Sequence, residues 1–152
     1  MFIELVDKGL EGVFDVEQFC LDNNIDAEKV KYLYCHNNEL TQLDLSKLVN
    51  LKVLYCDDNK LTELKGLDNL VNLEELYCEN NKLTELDVSK LVNLRKLSCD
   101  DHELSVLDVS NLVNLKLLNG KEYILPEPEP DKLDLLINKV EKLEQIILDN
   151  KR

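Results

Sequence analysis

The sequence predicts an α/β-type solenoid: short coils stacked on one apolar spine, with a small parallel sheet along the concave face. Three observations predict it. The first is self-similarity. Residues 30–50, VKYLYCHNNELTQLDLSKLVN, return at 51–72, 73–93 and 94–114, and a decaying copy, LKLLNGKEYIL, occupies 115–125. The period is 21 residues, with one extra residue, Gly66, in the second copy. The second is alternation. Leu54 and Cys56, with Tyr55 between them, suit a short strand with one face inward. The third is size. A coil this short cannot bury its own leucines, so neighbours must stack to make a continuous core. Parallel strands lie about 4.8 Å apart, so about five coils make a concave sheet roughly 20–25 Å across.

The elements follow in order. Residues 1–29 are expected to form an N-terminal helical cap, because a solenoid end exposes core and an open strand edge. Asp15 is a suitable helix N-cap, and Val16, Phe19 and Cys20 then share one apolar face. Residues 30–125 form the solenoid, about five turns. In it Asn38, Asn59 and Asn81 make an inward polar ladder whose amides satisfy the turns leaving the strands. The PEPEP run at 126–130 is an extended spacer. Residues 131–152 read as one amphipathic helix. Leu133, Leu136, Val140, Leu143 and Ile147 follow the 3-4-3-4 spacing of a coiled-coil seam. Two readings of this helix stand: oligomerisation or partner docking through the seam, or folding back over Leu117, Leu118 and Leu125.

The repeat resembles the leucine-rich repeat family, in its short 21–22-residue bacterial and viral class. The signature L-x-x-L-x-C-x-x-N-x-L stands as Leu51, Leu54, Cys56, Asn59 and Leu61, and again as Leu73, Leu76, Cys78, Asn81 and Leu83. The resemblance covers residues 30 to about 125. His102 departs from it in place of the repeat Asn, and Gly120 and Tyr123 replace Cys and Asn in the fifth copy. The resemblance implies a binding scaffold that uses its concave sheet.

Composition narrows the function. The 152 residues carry 18 Lys+Arg against 31 Asp+Glu, a net charge of −13. That acidity opposes direct contact with nucleic acid or anionic lipid. No apolar run reaches the roughly 18–20 residues of a membrane helix. Five Cys with no C-x-x-C point to free thiols, and the acidic N-terminus lacks the pattern of a signal peptide, so a cytoplasmic location is expected. The Cys35, Cys56, Cys78 and Cys99 column reads as core. The D-D-N and E-N-N turns lack the Gly of a calcium loop. No phosphate loop or nucleophile elbow is present, so neither enzymatic activity nor a cofactor is expected.

The candidate site is a partner-binding surface. Tyr34, Tyr55 and Tyr77, followed by Ser98, form one outward column, and His36, Asp57, Glu79 and Asp100 form the next. Tyrosine offers a rigid contact area with a hydrogen-bonding tip. The acids select a protein partner with a basic surface. The seam residues of the C-terminal helix are the candidate homo-oligomer contact. A different reading is an acidic inhibitor or nucleic-acid mimic that blocks another protein's basic surface. Glu11, Asp15 and Glu17 would carry it, because the first 29 residues hold 2 Lys against 8 Asp+Glu.

Overall fold

The computed structural model describes residues 1–100, 104, 106–126, 136–137, 139–143 and 145. In chain order the elements are β1 (Phe2–Glu4), β2 (Glu11–Asp15), α1 (Val16–Asp22), β3 (Tyr32–Tyr34), β4 (Glu39–Asp44), β5 (Val53–Tyr55), β6 (Glu63–Lys65), β7 (Glu75–Tyr77), β8 (Lys96–Ser98), β9 (Leu117–Leu118) and β10 (Lys121–Glu122). Short 3-10 turns occupy Ala27–Lys29 and Leu67–Asn69.

The strands form two sheets. The long sheet has the order β1-β3-β5-β7-β8-β9-β10, parallel up to β9. Its register repeats residue for residue: Ile3, Leu33, Leu54, Leu76, Leu97 and Leu118 stand beside one another as successive partners. From Leu33 to Leu97 this column is buried, at 1 % exposure or less. The coils therefore stack as the repeat predicts, and burying that continuous leucine column is what holds them in register.

The second sheet, β2-β4-β6, is not evident in the alternation pattern used for the first. It runs along the other flank of the stack and ends at β6. The repeat changes at that point. In three coils the turn after this flank is pinned by an aspartate that accepts from the serine backbone two residues on: Asp44 from Ser46 (3.0 Å), Asp87 from Ser89 (2.9 Å) and Asp108 from Ser110 (2.9 Å). The second coil has Lys65-Gly66 instead, with Gly66 at φ +79 leading into the 3-10 turn. A hollow of about 520 Å3 opens between β6 and the Thr84–Asp87 stretch.

The N-terminal segment differs from the helical cap expected of it. It supplies a strand to each sheet, β1 on β3 and β2 on β4, and its helical residues are the seven of α1 and the 3-10 turn at Ala27–Lys29. Asp15 does cap α1, accepting from Gln18 N at 3.0 Å, and Val16 and Cys20 are buried. The reason is coil-to-coil hydrogen bonding. Leu5 N donates to Tyr34 O (2.7 Å) and Glu39 N to Leu10 O (2.8 Å), so the first repeat's backbone is satisfied by another coil of chain.

At the other end, β9 and β10 form an antiparallel hairpin across Asn119-Gly120, with φ of +48 and +72. Asn-Gly with both residues left-handed is the tight turn that matches strand twist. It turns the chain back on itself and ends the parallel ladder. Beyond the spacer, the described residues 136–137, 139–143 and 145 are helical. Leu136, Ile137, Val140 and Leu143 are 46–58 % exposed, and Leu125 is 40 % exposed. Leu133 and Ile147 of the expected seam lie outside the described residues, as do Asp101 and His102 and residues 127–130 of the spacer.

Candidate functional site

The site is built by the alternation of β3, β5, β7 and β8. With Leu33, Leu54, Leu76 and Leu97 inward, the residues after them face out, and the register stacks Tyr34, Tyr55, Tyr77 and Ser98 side by side. The tyrosines are half-buried against one another. Tyr34 meets Tyr55 edge-on, with ring centres 5.3 Å apart at 81°, and Tyr55 lies 4.3 Å from Tyr77 at 52°. The first is the favourable edge-to-face geometry, and the second is a close tilted contact. Burial, then the Tyr77 hydroxyl beside it, pushes the Tyr55 phenol up to about 12. Burial first and Tyr55 second raise Tyr34. Both phenols therefore remain protonated hydrogen-bond donors across the physiological range.

The next outward column begins where the strands end. His36 is 6.0 Å from Tyr55, ring to ring. His36 Nδ1, Asp57 Oδ1 and Glu79 Oε2 are buried atoms without a hydrogen bond among the described residues. Burial above all, with Glu79 and Asp58 adding to it, raises the Asp57 carboxyl above its usual range, against the pull of its own backbone N–H and of His36. Asp100 is exposed. It lines a hollow of about 300 Å3 with Glu79, Asn80, Ser98 and Asn119. The structure thus brings together every predicted residue of the tyrosine and acid columns, with Asp100 at the open end.

The inward columns are structural. Asn59 Oδ1 accepts from Leu40 N (3.0 Å), and its Nδ2 donates to Cys35 O (3.0 Å), Cys56 O and Asp57 O (both 3.1 Å). Asn81 repeats the pattern one coil on, and Asn38 one coil back. All five cysteines are buried thiols. Burial pushes the Cys35 thiol up to about 12 and holds Cys56 well above its usual range, so these thiols do not ionise and behave as small apolar groups.

A second asparagine ladder was not anticipated. Nδ2 of Asn50, Asn72, Asn93 and Asn114 donates to Glu28 O, Val49 O, Val71 O and Val92 O at 2.8–3.2 Å. The recurring Val-Asn at 49–50, 71–72, 92–93 and 113–114 was the signal that could have found it.

These coils have the form of a leucine-rich repeat solenoid. Residues 28–69 match the family described as leucine-rich repeats, in two copies. As a class these domains are protein-interaction modules. Among solved structures, the chain is similar to the functional domain of InlJ from Listeria monocytogenes, at 35 % identity and a TM-score of 0.59. The likeness covers 67 % of this chain, which spans only 23 % of that one. That domain includes a cysteine ladder. No curated protein matches the chain. Among the described residues, no helix is long and apolar enough to cross a membrane.

Proposed function

We propose that the chain is a non-enzymatic interaction module that captures a basic protein surface on the outer face of the long sheet. One observation carries this reading. Three stacked tyrosines border a column in which His36 Nδ1, Asp57 Oδ1 and Glu79 Oε2 are buried without a hydrogen-bond partner among the described residues. A buried carboxylate oxygen with no donor is costly. Lys or Arg groups of a partner would supply the donors, while the tyrosine rings cover the aliphatic stems. The exposed Leu136, Ile137, Val140 and Leu143 support a role for the C-terminal helix in oligomerisation or docking.

The chain has no Trp, and Tyr34, Tyr55 and Tyr77 are three of its five tyrosines, so tyrosine fluorescence reports on this face. Titration with an arginine-rich peptide should change that emission, with affinity falling as salt rises. Tyr55→Ala with Tyr77→Ala should abolish the response without unfolding the chain. An arginine-rich peptide that binds this double variant as well as the parent would overturn the reading. The inhibitor or mimic alternative predicts the opposite pattern. There, Glu11→Gln, Asp15→Asn and Glu17→Gln together weaken binding more than the tyrosine pair does.

A further inference from the structure

The two rims of the long sheet carry opposite charge. Where the strands end, the column is acidic. Where they begin, Lys31, Lys52, Glu74, Arg95 and Lys116 follow one another up the stack. Their backbones form one hydrogen-bonded series. Lys52 N donates to Lys31 O (2.8 Å), Glu74 N to Lys52 O (2.8 Å), Arg95 N to Glu74 O (2.7 Å) and Lys116 N to Arg95 O (2.8 Å). Successive members thus sit one strand spacing apart, about 4.8 Å. Lys52 is paired with Glu74 at 2.6 Å. Lys31, Arg95 and Lys116 have no ion pair among the described residues. In a chain of net charge −13, this rim sets four cations against the single carboxylate of Glu74, which Lys52 and Arg95 both hold down.

The second asparagine ladder runs beside this series. Each side chain spends its Nδ2 on a backbone carbonyl of the preceding coil, which leaves its Oδ1 as an acceptor. Lys52, Asn72, Glu74, Asn93, Arg95 and Asn114 enclose a hollow of about 280 Å3. Cations and amide oxygens side by side discriminate between occupants. A simple anion such as phosphate offers no row of N–H donors at peptide spacing and leaves the amide oxygens unmatched. A peptide brings N–H donors for the amides and carboxylates for the cations.

We propose that this rim is a second docking strip, and that its occupant is an extended acidic segment of a protein partner. The segment lies along the series with its carboxylates on Arg95 and Lys116 and its backbone N–H groups on Asn93 and Asn114. The strip uses none of the tyrosine or acid-column residues, so either surface can be lost without the other.

The test is a titration of the isotopically labelled full chain with hexaglutamate at low salt, read by amide chemical shifts. The largest shifts are expected at Asn93, Arg95, Asn114 and Lys116. Arg95 and Lys116 are exposed, so Arg95→Glu with Lys116→Glu should keep the fold and weaken hexaglutamate by about tenfold or more. The milder Arg95→Gln with Lys116→Gln should fall between. Inorganic phosphate at matched concentration should shift this rim far less. The proposal is overturned if hexaglutamate produces no localised shifts or shifts centred elsewhere, if the charge reversal leaves its affinity unchanged, or if phosphate acts equally well. None of those results touches the arginine-rich peptide experiment on the tyrosine face.

Discussion

Two polar columns stand two residues apart in the first three coils of the repeat and behave in opposite ways. Asn38, Asn59 and Asn81 are buried and saturated, each bonded to backbone of its own coil and of the preceding coil of chain. His36, Asp57 and Glu79 each keep a buried polar atom without a hydrogen-bond partner among the described residues. The turn leaving a strand offers both N–H and C=O groups. An amide, which donates and accepts, matches that mixture, whereas an ionised carboxylate only accepts. The same coil geometry therefore makes one column a staple of the fold and leaves the other available for donors from outside. A repeated polar residue is assigned by whether the backbone beside it can complete its hydrogen bonds.

The largest expected effect breaks the satisfied column. Asn59→Ala strands the Leu40 N–H and removes donors from three carbonyls, so it should cost about 3 kcal/mol in urea unfolding. The contrast fails if Asp57→Asn costs as much. Next is the turn that interrupts the second sheet. A Cβ at Gly66 would lie 2.6 Å from Ser46 Oγ and 2.7 Å from Ser46 Cα, at φ +79. Gly66→Ala should therefore cost about 2 kcal/mol by the same measurement.

The unsatisfied column is sharpened by pH. The fold raises Asp57 above its ordinary value, so its contribution opposes folding once it ionises and is relieved as pH falls through its folded pKa. Asp57→Asn should leave stability at neutral pH unchanged or higher by up to about 1 kcal/mol, and flatten that part of the pH profile. Asp44 has the opposite sign. Its hydrogen bond to Lys65 first, then those to Ser46, hold its carboxyl down to about 2. It stabilises above the usual 3.8 and loses that contribution as pH falls from there toward about 2. Lys65→Ala should shrink this acid-side loss in equilibrium unfolding at pH 2–5, about the span of the Asp44 shift. The smallest effect belongs to the surface. Lys96→Ala removes an ion pair to Glu75 of 2.9 Å and should change stability by only a few tenths of a kcal/mol.

Much of this was legible in the chain. The period placed Leu33, Leu54, Leu76 and Leu97 inward and Tyr34, Tyr55 and Tyr77 outward, because a strand's alternation has one solution once the leucines must be buried. The N-terminal segment was less legible. Residues 1–29 do not repeat the signature, so nothing local announced that β1 and β2 would pair with β3 and β4. The Asn119-Gly120 turn was readable as a hairpin, but the repeat frame presented Gly120 as a lost cysteine instead.

The sequence by itself determined the stack: a 21-residue coil with leucines on one side can satisfy its core only against copies of itself, and that requirement is periodic and local. Only the tertiary structure decided which polar groups are left over. Whether Asn59 is saturated, Asp57 Oδ1 left without a donor or Arg95 outside a close ion pair depends on what the adjacent coil presents a few ångströms away. Hydrogen bonding and ion pairing are short-ranged and directional, so their balance appears only when the coils lie side by side.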